Sequence, residues 1–206
     1  MTTQTVFLFA SLLLSLKLFD YTMANTSDLI ITKHFKRRHH NIQIDELIFN
    51  GIPVVPKLSG GEHGGHLIHW RLSAVWRNPQ SDSTGSVTYD TVIYPDSVIK
   101  IEVISRPYDV SNAAKARFHI APLQKIAMTD LVTFIEQHGL HRYKYDGKGS
   151  GCLHWCTTSI QKLEEEKLIS EGSRATFERD HVAVLRENTT WWVPDDHGTF
   201  GSERKD

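Results

Sequence analysis

The strongest constraint on the fold is a run of alternating apolar and polar residues at Leu67–Arg77. Side chains of a β-strand point alternately to the two faces of a sheet, so this run places every second residue on one face. That face is wholly apolar and consists of Ile68, Trp70, Leu72, Ala74 and Trp76. His69 belongs to the opposite, mixed face. The pattern therefore predicts a strand with one buried face and one face that carries polar groups.

Further strand-like segments surround this run, and helical segments follow them. Similar patterns occur at 52–55, 87–94, 98–105 and 114–120, separated by turn-forming residues. Thr129 then begins a helical pattern that stops at Gly139, and two more helical patterns follow Gly151 and Gly172. Strands followed by helices predict an α+β domain in which helices pack on an antiparallel sheet.

The predicted domain covers residues 51–194, after a signal-like or disordered leader at 1–50 and before a flexible tail at 195–206. Val6–Leu16 is an apolar run of signal-peptide length and is too short to span a bilayer, so no transmembrane span is expected. Met23 offers an alternative start of translation. We therefore expect secretion if the apolar run is a signal peptide, and an intracellular protein if translation starts at Met23.

Composition argues against several classes of protein. With 206 residues, of which 40% are hydrophobic, the chain can build one core. Its net charge of −1 provides no basic field, so no nucleic-acid partner is expected. Two cysteines on one helical face do not form a disulfide framework. No phosphate-binding loop or cofactor fingerprint is visible, so no cofactor is expected.

A glycine-rich stretch, Gly147–Cys156, brings a cysteine to the first turn of a helix. Residues 157–169 are rich in helix formers, so the helix is expected to begin near Cys152. The N–H groups of a first turn and the positive helix end stabilise negative charge, which favours a reactive thiolate at Cys152. Cys156, one turn further, is expected to be buried and inert. The alternative is that both cysteines only fill the inner face of a packed helix.

Three short motifs resemble a fungal domain family of unknown function. They are Ile68-His69-Trp70 within a strand, Tyr143-Lys144-Tyr145 before the glycine loop, and Gly151-Cys152-x-x-Trp155 at the helix start. Members of that family typically carry Asn-His-Trp and Gly-Cys-Arg-Phe-Trp at these places, so Ile68 and Leu153-His154 are departures. The likeness covers about residues 52–192 and includes the strand that carries Asp90.

The order of a strand histidine followed by a helix-opening cysteine also resembles circularly permuted papain-like thiol hydrolases, such as desumoylating isopeptidases and relatives of lecithin:retinol acyltransferase. This resemblance implies that Cys152 is the nucleophile and that His69 is the base that takes its proton. Backbone N–H groups of Cys152 and Leu153 would receive the oxyanion. Asp90 would orient the imidazole, unless it is an ordinary surface aspartate. The residues that would line the cleft are Trp70, Gly151, Leu153 and Trp155.

Two other hypotheses stay open. Imidazoles recur at every third residue in His63–His69 and could join Cys152 or Cys156 around zinc. Strand alternation would turn His66 and His69 to opposite faces, so no metal is expected. A non-catalytic interaction module on the same fold is the other hypothesis, with the tryptophans forming core or a groove. The substrate class stays open among small molecules, peptides and proteins.

Overall fold

A computed structural model describes residues 28–54, 66–78, 80–95, 98–145, 151–192 and 199–200. The strands in these ranges are β1 (Ile30–His34), β2 (Glu46–Val54), β3 (His66–Asn78), β4 (Ser83–Ile93), β5 (Ile99–Arg106), β6 (Ala116–Ile120), β7 (Tyr143–Lys144), β8 (Trp191–Trp192) and β9 (Thr199–Phe200). The helices are α1 (Met128–Gln137), α2 (Cys152–Glu165) and α3 (Ser173–Glu187), with 3₁₀ turns at Arg37–His39 and Leu140–Arg142. The apolar run Val6–Leu16, Met23 and His63 lie outside the described residues.

Most of the strands form one mixed sheet in the order β1-β5-β4-β3-β2-β6, with β8 beside the start of β3. The four pairs from β5 to β6 along this order are antiparallel, whereas β1 with β5 and β8 with β3 are parallel. The predicted α+β class is confirmed, and the two parallel pairs are the departure from an antiparallel sheet. They arise because β1 and β8 reach their partners from distant parts of the chain rather than through hairpins. None of the helices in the described ranges is long and apolar enough to cross a membrane.

The sheet begins before the predicted domain boundary at residue 51. All of β1 and most of β2 lie in the predicted leader, and β2 is a central strand between β3 and β6. Leu47, Ile48 and Phe49 of β2 are at most 1% exposed. Leu47–Phe49 form a short apolar block between Glu46 and Asn50 without clear alternation, so the sequence pattern does not predict a strand here. Part of the predicted tail also belongs to the fold, because Phe200 packs on Tyr143 with ring centroids 4.7 Å apart.

The sheet separates two packing layers. On the helix face, which includes Phe49 and Leu72, the strands join residues of α1, α2 and α3 in the main hydrophobic core. On the loop face, Ile48 and Val75 pack against Val110 in a smaller cluster. The apolar set predicted in β3 belongs to the helix face, as alternation requires. His69 is therefore carried on the loop face.

Candidate functional site

The sheet opens between β3 and β4, and we call this opening the β3–β4 gap. The described pairing of the two strands ends with Leu72 opposite Tyr89. Both strands continue beyond this pair, because β3 begins at His66 and β4 ends at Ile93. The start of α2 enters the gap. Sγ of Cys152 accepts a hydrogen bond from the backbone N–H of Trp70 at 3.3 Å and lies 3.8 Å from the carbonyl oxygen of Ile68. A side chain from a helix thus replaces the missing strand partner.

The helix begins at Cys152 because Gly151 adopts a backbone conformation that favours glycine. Its φ is 152° and its ψ is −15°, and its carbonyl accepts the first helical hydrogen bond, from the N–H of Trp155, at 2.9 Å. The N–H groups of Cys152 and Leu153 belong to the first turn, so they have no carbonyl partner within the helix. These N–H groups and the positive helix end favour negative charge near Cys152 Sγ.

His69 and Asp90 form a hydrogen-bonded pair on the loop face. Nε2 of His69 lies 2.5 Å from Oδ1 of Asp90, and the two side chains are 25% and 17% exposed. The second carboxylate oxygen of Asp90 lies 3.8 Å from Nη1 of Arg71. Nε of Arg71 in turn donates to Oδ1 of the fully buried Asn50 at 3.2 Å. Asp90 is therefore a largely buried, paired carboxylate rather than a free surface aspartate.

The Cys152 thiol and the His69 imidazole meet at the β3–β4 gap, although α2 packs on the helix face and His69 projects from the loop face. Sγ of Cys152 lies against the strand on both sides of His69, at the N–H of Trp70 and the carbonyl of Ile68. Burial by itself lowers the pKa of His69, but hydrogen bonds to Asp90 and Cys152, together with their charges, raise it to about 10. His69 is therefore an imidazolium at neutral pH. The three residues that the sequence nominated as a catalytic set lie together here.

This raised pKa predicts that Asp90 makes the stability of the fold depend on pH. His69 holds its proton more tightly in the folded chain than in the unfolded chain, so protonation of His69 stabilises the fold. This stabilisation is fully present below pH 6.5, the ordinary pKa of histidine, and is lost as the pH rises through about 10. Over that window we expect the wild type to lose on the order of 2 kcal/mol more unfolding free energy than Asp90→Asn. Urea denaturation of both proteins at several pH values measures the difference. Parallel curves would contradict the assignment of the proton to His69.

Two of the predicted cleft-lining residues lie in the core instead. Trp155 is fully buried, and its indole N–H donates to the carbonyl of Leu140 at 3.0 Å. The Trp70 side chain is also fully buried, with its ring 5.7 Å from that of Phe118 and 5.5 Å from that of Phe177. Sequence periodicity indicates the direction of a side chain but not how deeply it is buried. It therefore could not distinguish these core indoles from residues that line a cleft. Trp70 hydrogen-bonds to Cys152 through its backbone N–H rather than through its indole.

The other two predicted cleft-lining residues, Gly151 and Leu153, lie near the site. Gly151 is buried beside Tyr143 and Tyr145, and Leu153 is half-buried against the main core. Cys156 is fully buried. Burial is the main cause that raises the pKa of its thiol well above the ordinary range, and the charge of Cys152 adds to it. Cys156 is thus held as a neutral thiol in the core.

Sequence reasoning gave no role to two residues that touch the site. One is Arg71, the ion-pair partner of Asp90; strand alternation places it on the same face as His69 but indicates no partner for it. The other is Tyr145, whose hydroxyl lies 2.6 Å from Oγ1 of Thr91 and donates to the carbonyl of Thr91 at 3.0 Å. The motif Tyr143-Lys144-Tyr145 contains this tyrosine, but a motif alone does not indicate which strand the tyrosine contacts.

The repeated histidines do not form a metal site within the described ranges. No three histidine, cysteine, aspartate or glutamate side chains there lie close enough together to hold a metal ion. His66 is exposed at the start of β3, whereas His69 is bound to Asp90. The zinc hypothesis gains no support from these residues.

Comparison with known proteins places the site within a recognised family. A family model described as a domain of unknown function, DUF7770, matches residues 54–201. The chain belongs to this family. The DUF7770 match includes His69, Asp90 and Cys152, while β1 and most of β2 precede it. No curated protein and no solved structure matches the chain. The site geometry therefore carries the functional argument for this DUF7770 protein.

Proposed function

We propose that this protein is a cysteine-dependent hydrolase or acyltransferase in which Cys152 is the nucleophile, His69 transfers protons and Asp90 orients His69. One observation carries the proposal. The thiol at the first turn of α2 packs against the strand backbone on both sides of His69, whose Nε2 lies 2.5 Å from a largely buried carboxylate. A nucleophile, a proton carrier and an orienting group placed next to one another are the parts that thiol-dependent acyl transfer needs.

The electrostatics give His69 a resting role that differs from the base implied by the order of the residues. Because the raised pKa keeps the ring protonated at neutral pH, His69 is an acid in the resting protein rather than a base. The imidazolium, the N–H of Trp70 and the positive end of α2 all favour negative charge on Cys152 Sγ. In the proposed reaction Cys152 therefore acts as a thiolate beside the His69 imidazolium.

The proposed reaction follows from that pair. The thiolate attacks the carbonyl carbon of a substrate, and the oxyanion that forms receives hydrogen bonds from the N–H groups of Cys152 and Leu153. As the bond to the leaving amine or alcohol breaks, His69 gives that group its proton, and a thioester remains on Cys152. The neutral imidazole then takes a proton from water or an acceptor alcohol or amine, whose attack on the thioester releases the acyl product and restores the thiolate.

The order of these elements supports the same class. A strand histidine, a carboxylate on the next strand and a later cysteine at a helix start occur in the order that resembles circularly permuted papain-like thiol hydrolases. This similarity of arrangement favours an ester, thioester or amide carbonyl as the reacting group. It does not choose among peptide, isopeptide and lipid acyl groups.

A substrate and probe panel tests the proposal. We expect Cys152 to be alkylated by a chloroacetamide much faster than a cysteine in an unstructured peptide, and Cys156 to remain unlabelled in the folded protein, as peptide mapping would reveal. A fluorogenic peptide amide, a lysine isopeptide and a long-chain acyl ester then identify the class that turns over. Turnover should vanish in Cys152→Ala and persist in Cys156→Ala. No turnover, together with labelling of Cys152 at the peptide rate, would refute the proposal.

A non-catalytic interaction module is the second candidate, and a groove favours it. An opening of about 550 Å³ lies between the edge strand β6 and the start of α3, with Phe118 and Phe177 among its lining residues. Its lining does not include the three residues of the proposed site. If the substrate panel fails, this groove becomes the first surface on which to look for a bound partner.

A further inference from the structure

At the β3–β4 gap, the side chains of Cys152 and Tyr145 bond to backbone groups that β3 and β4 do not pair with each other. If the ladder continued in its register by one more hydrogen-bonded pair, Trp70 would lie opposite Thr91. The N–H of Trp70 instead donates to Sγ of Cys152 at 3.3 Å, and the carbonyl of Thr91 accepts from the hydroxyl of Tyr145 at 3.0 Å. A thiol and a phenol thus take the places of the two backbone groups that would have bonded to each other.

We propose that Tyr145 is a positioning residue that holds β4 away from β3, so that the Cys152 thiol can enter the gap and meet His69. The role rests on the proposed function. Buried backbone groups require partners, and a strand pair left open would normally close to satisfy them. The Tyr145 hydroxyl supplies Thr91 with the partner that β3 would otherwise provide. The gap therefore stays open without an unsatisfied carbonyl.

Tyr145 is placed to link the two halves of the site. Its hydroxyl also lies 2.6 Å from Oγ1 of Thr91, the residue that follows Asp90 on β4. Its ring lies beside Gly151, at the start of the helix that carries Cys152. A single side chain therefore fixes the strand of the carboxylate relative to the helix of the nucleophile. A displacement of about 1 Å between reacting groups can cost about 100-fold in rate, so this link affects the chemistry itself.

The variant Tyr145→Phe tests the role, because it keeps the ring beside Gly151 and removes only the hydroxyl. With a chloroacetamide probe, we expect kinact to fall about tenfold while KI changes by less than about twofold. The matched control is Tyr89→Phe. It removes another buried hydroxyl of β4, which donates to the carbonyl of Met128 at 2.8 Å in the paired part of the strand. Folded fraction is measured for each protein by circular dichroism.

Slowing in Tyr145→Phe but not in Tyr89→Phe, at equal folded fraction, is the expected result. An unchanged kinact in Tyr145→Phe, or equal slowing in both variants, would overturn the role. If Tyr145→Phe does not fold, Thr91→Val serves instead, because it removes only the contact between Thr91 Oγ1 and the Tyr145 hydroxyl. This variant should still slow labelling about threefold, and an unchanged labelling rate would contradict the role. Failure of the proposed function is recognised separately, because the wild type would then react no faster than a peptide cysteine, and both proposals would fall.

Discussion

Replacing His69 with alanine is expected to slow alkylation of Cys152 by about 100-fold near neutral pH. The substitution removes the imidazolium that favours negative charge on the sulfur. It also leaves the Asp90 carboxylate largely buried without its histidine, and this negative charge then opposes the thiolate. Asp90→Asn keeps the ring but removes the charge that holds its proton, so an intermediate slowing of about tenfold is expected. Stopped-flow or mass-spectrometric labelling rates measure both effects.

The chain offers a matched control for this experiment. His119 also pairs with a carboxylate, with Nδ1 2.9 Å from Oε1 of Glu46, but its side chain is 53% exposed and lies on the edge strand β6. His119→Ala should leave the labelling rate within about twofold of the wild type, since an exposed pair contributes little. If His69→Ala labels as fast as His119→Ala while both are folded, His69 has no part in activating Cys152.

Gly151→Ala is expected to destabilise the fold by about 3 kcal/mol or more. An alanine Cβ at this position would lie 2.7 Å from Cε1 of Tyr143 and 2.8 Å from Cδ1 of Tyr145, so one or both rings must move. The backbone conformation, with φ at 152°, adds strain for any side chain. Loss of unfolding free energy in urea measures the effect, and labelling of Cys152 should slow as the start of α2 shifts.

Gly139→Ala separates backbone strain from crowding. Gly139 has a φ of 65°, but a Cβ there would meet no atom within 4 Å. Its alanine variant should therefore cost only the strain, about 1 kcal/mol. Equal losses at Gly139 and Gly151 would indicate that contact with the tyrosines does not determine the conformation at the helix start.

Part of this arrangement could be predicted from sequence because it depends on local patterns. Alternation in β3 assigned His69 to the face opposite the apolar one, and the glycine loop located the helix start at Cys152. Each of these signals needs only a few neighbouring residues. The α+β class followed from the order of such segments.

The contacts between segments could not be predicted in this way. His69 reaches Asp90 only because of the register of β3 against β4, and periodicity within one strand does not contain that register. The β3–β4 gap depends on where two strands stop pairing, which is likewise a tertiary property. The central strand β2 was missed because its apolar residues, Leu47–Phe49, form a short block without clear alternation.

The β3–β4 gap has a consequence for how the protein is made. Trp70 and Cys152, which meet across it, are separated by 82 positions in the chain. A ribosome-bound chain that has emerged only as far as β6 already exposes His69 and Asp90, but neither cysteine has yet left the ribosome. When Cys152 follows, it stays apart from His69 and Asp90 until long-range closure brings α2 to the sheet. The reactivity proposed for the thiol would therefore develop only when folding is nearly finished.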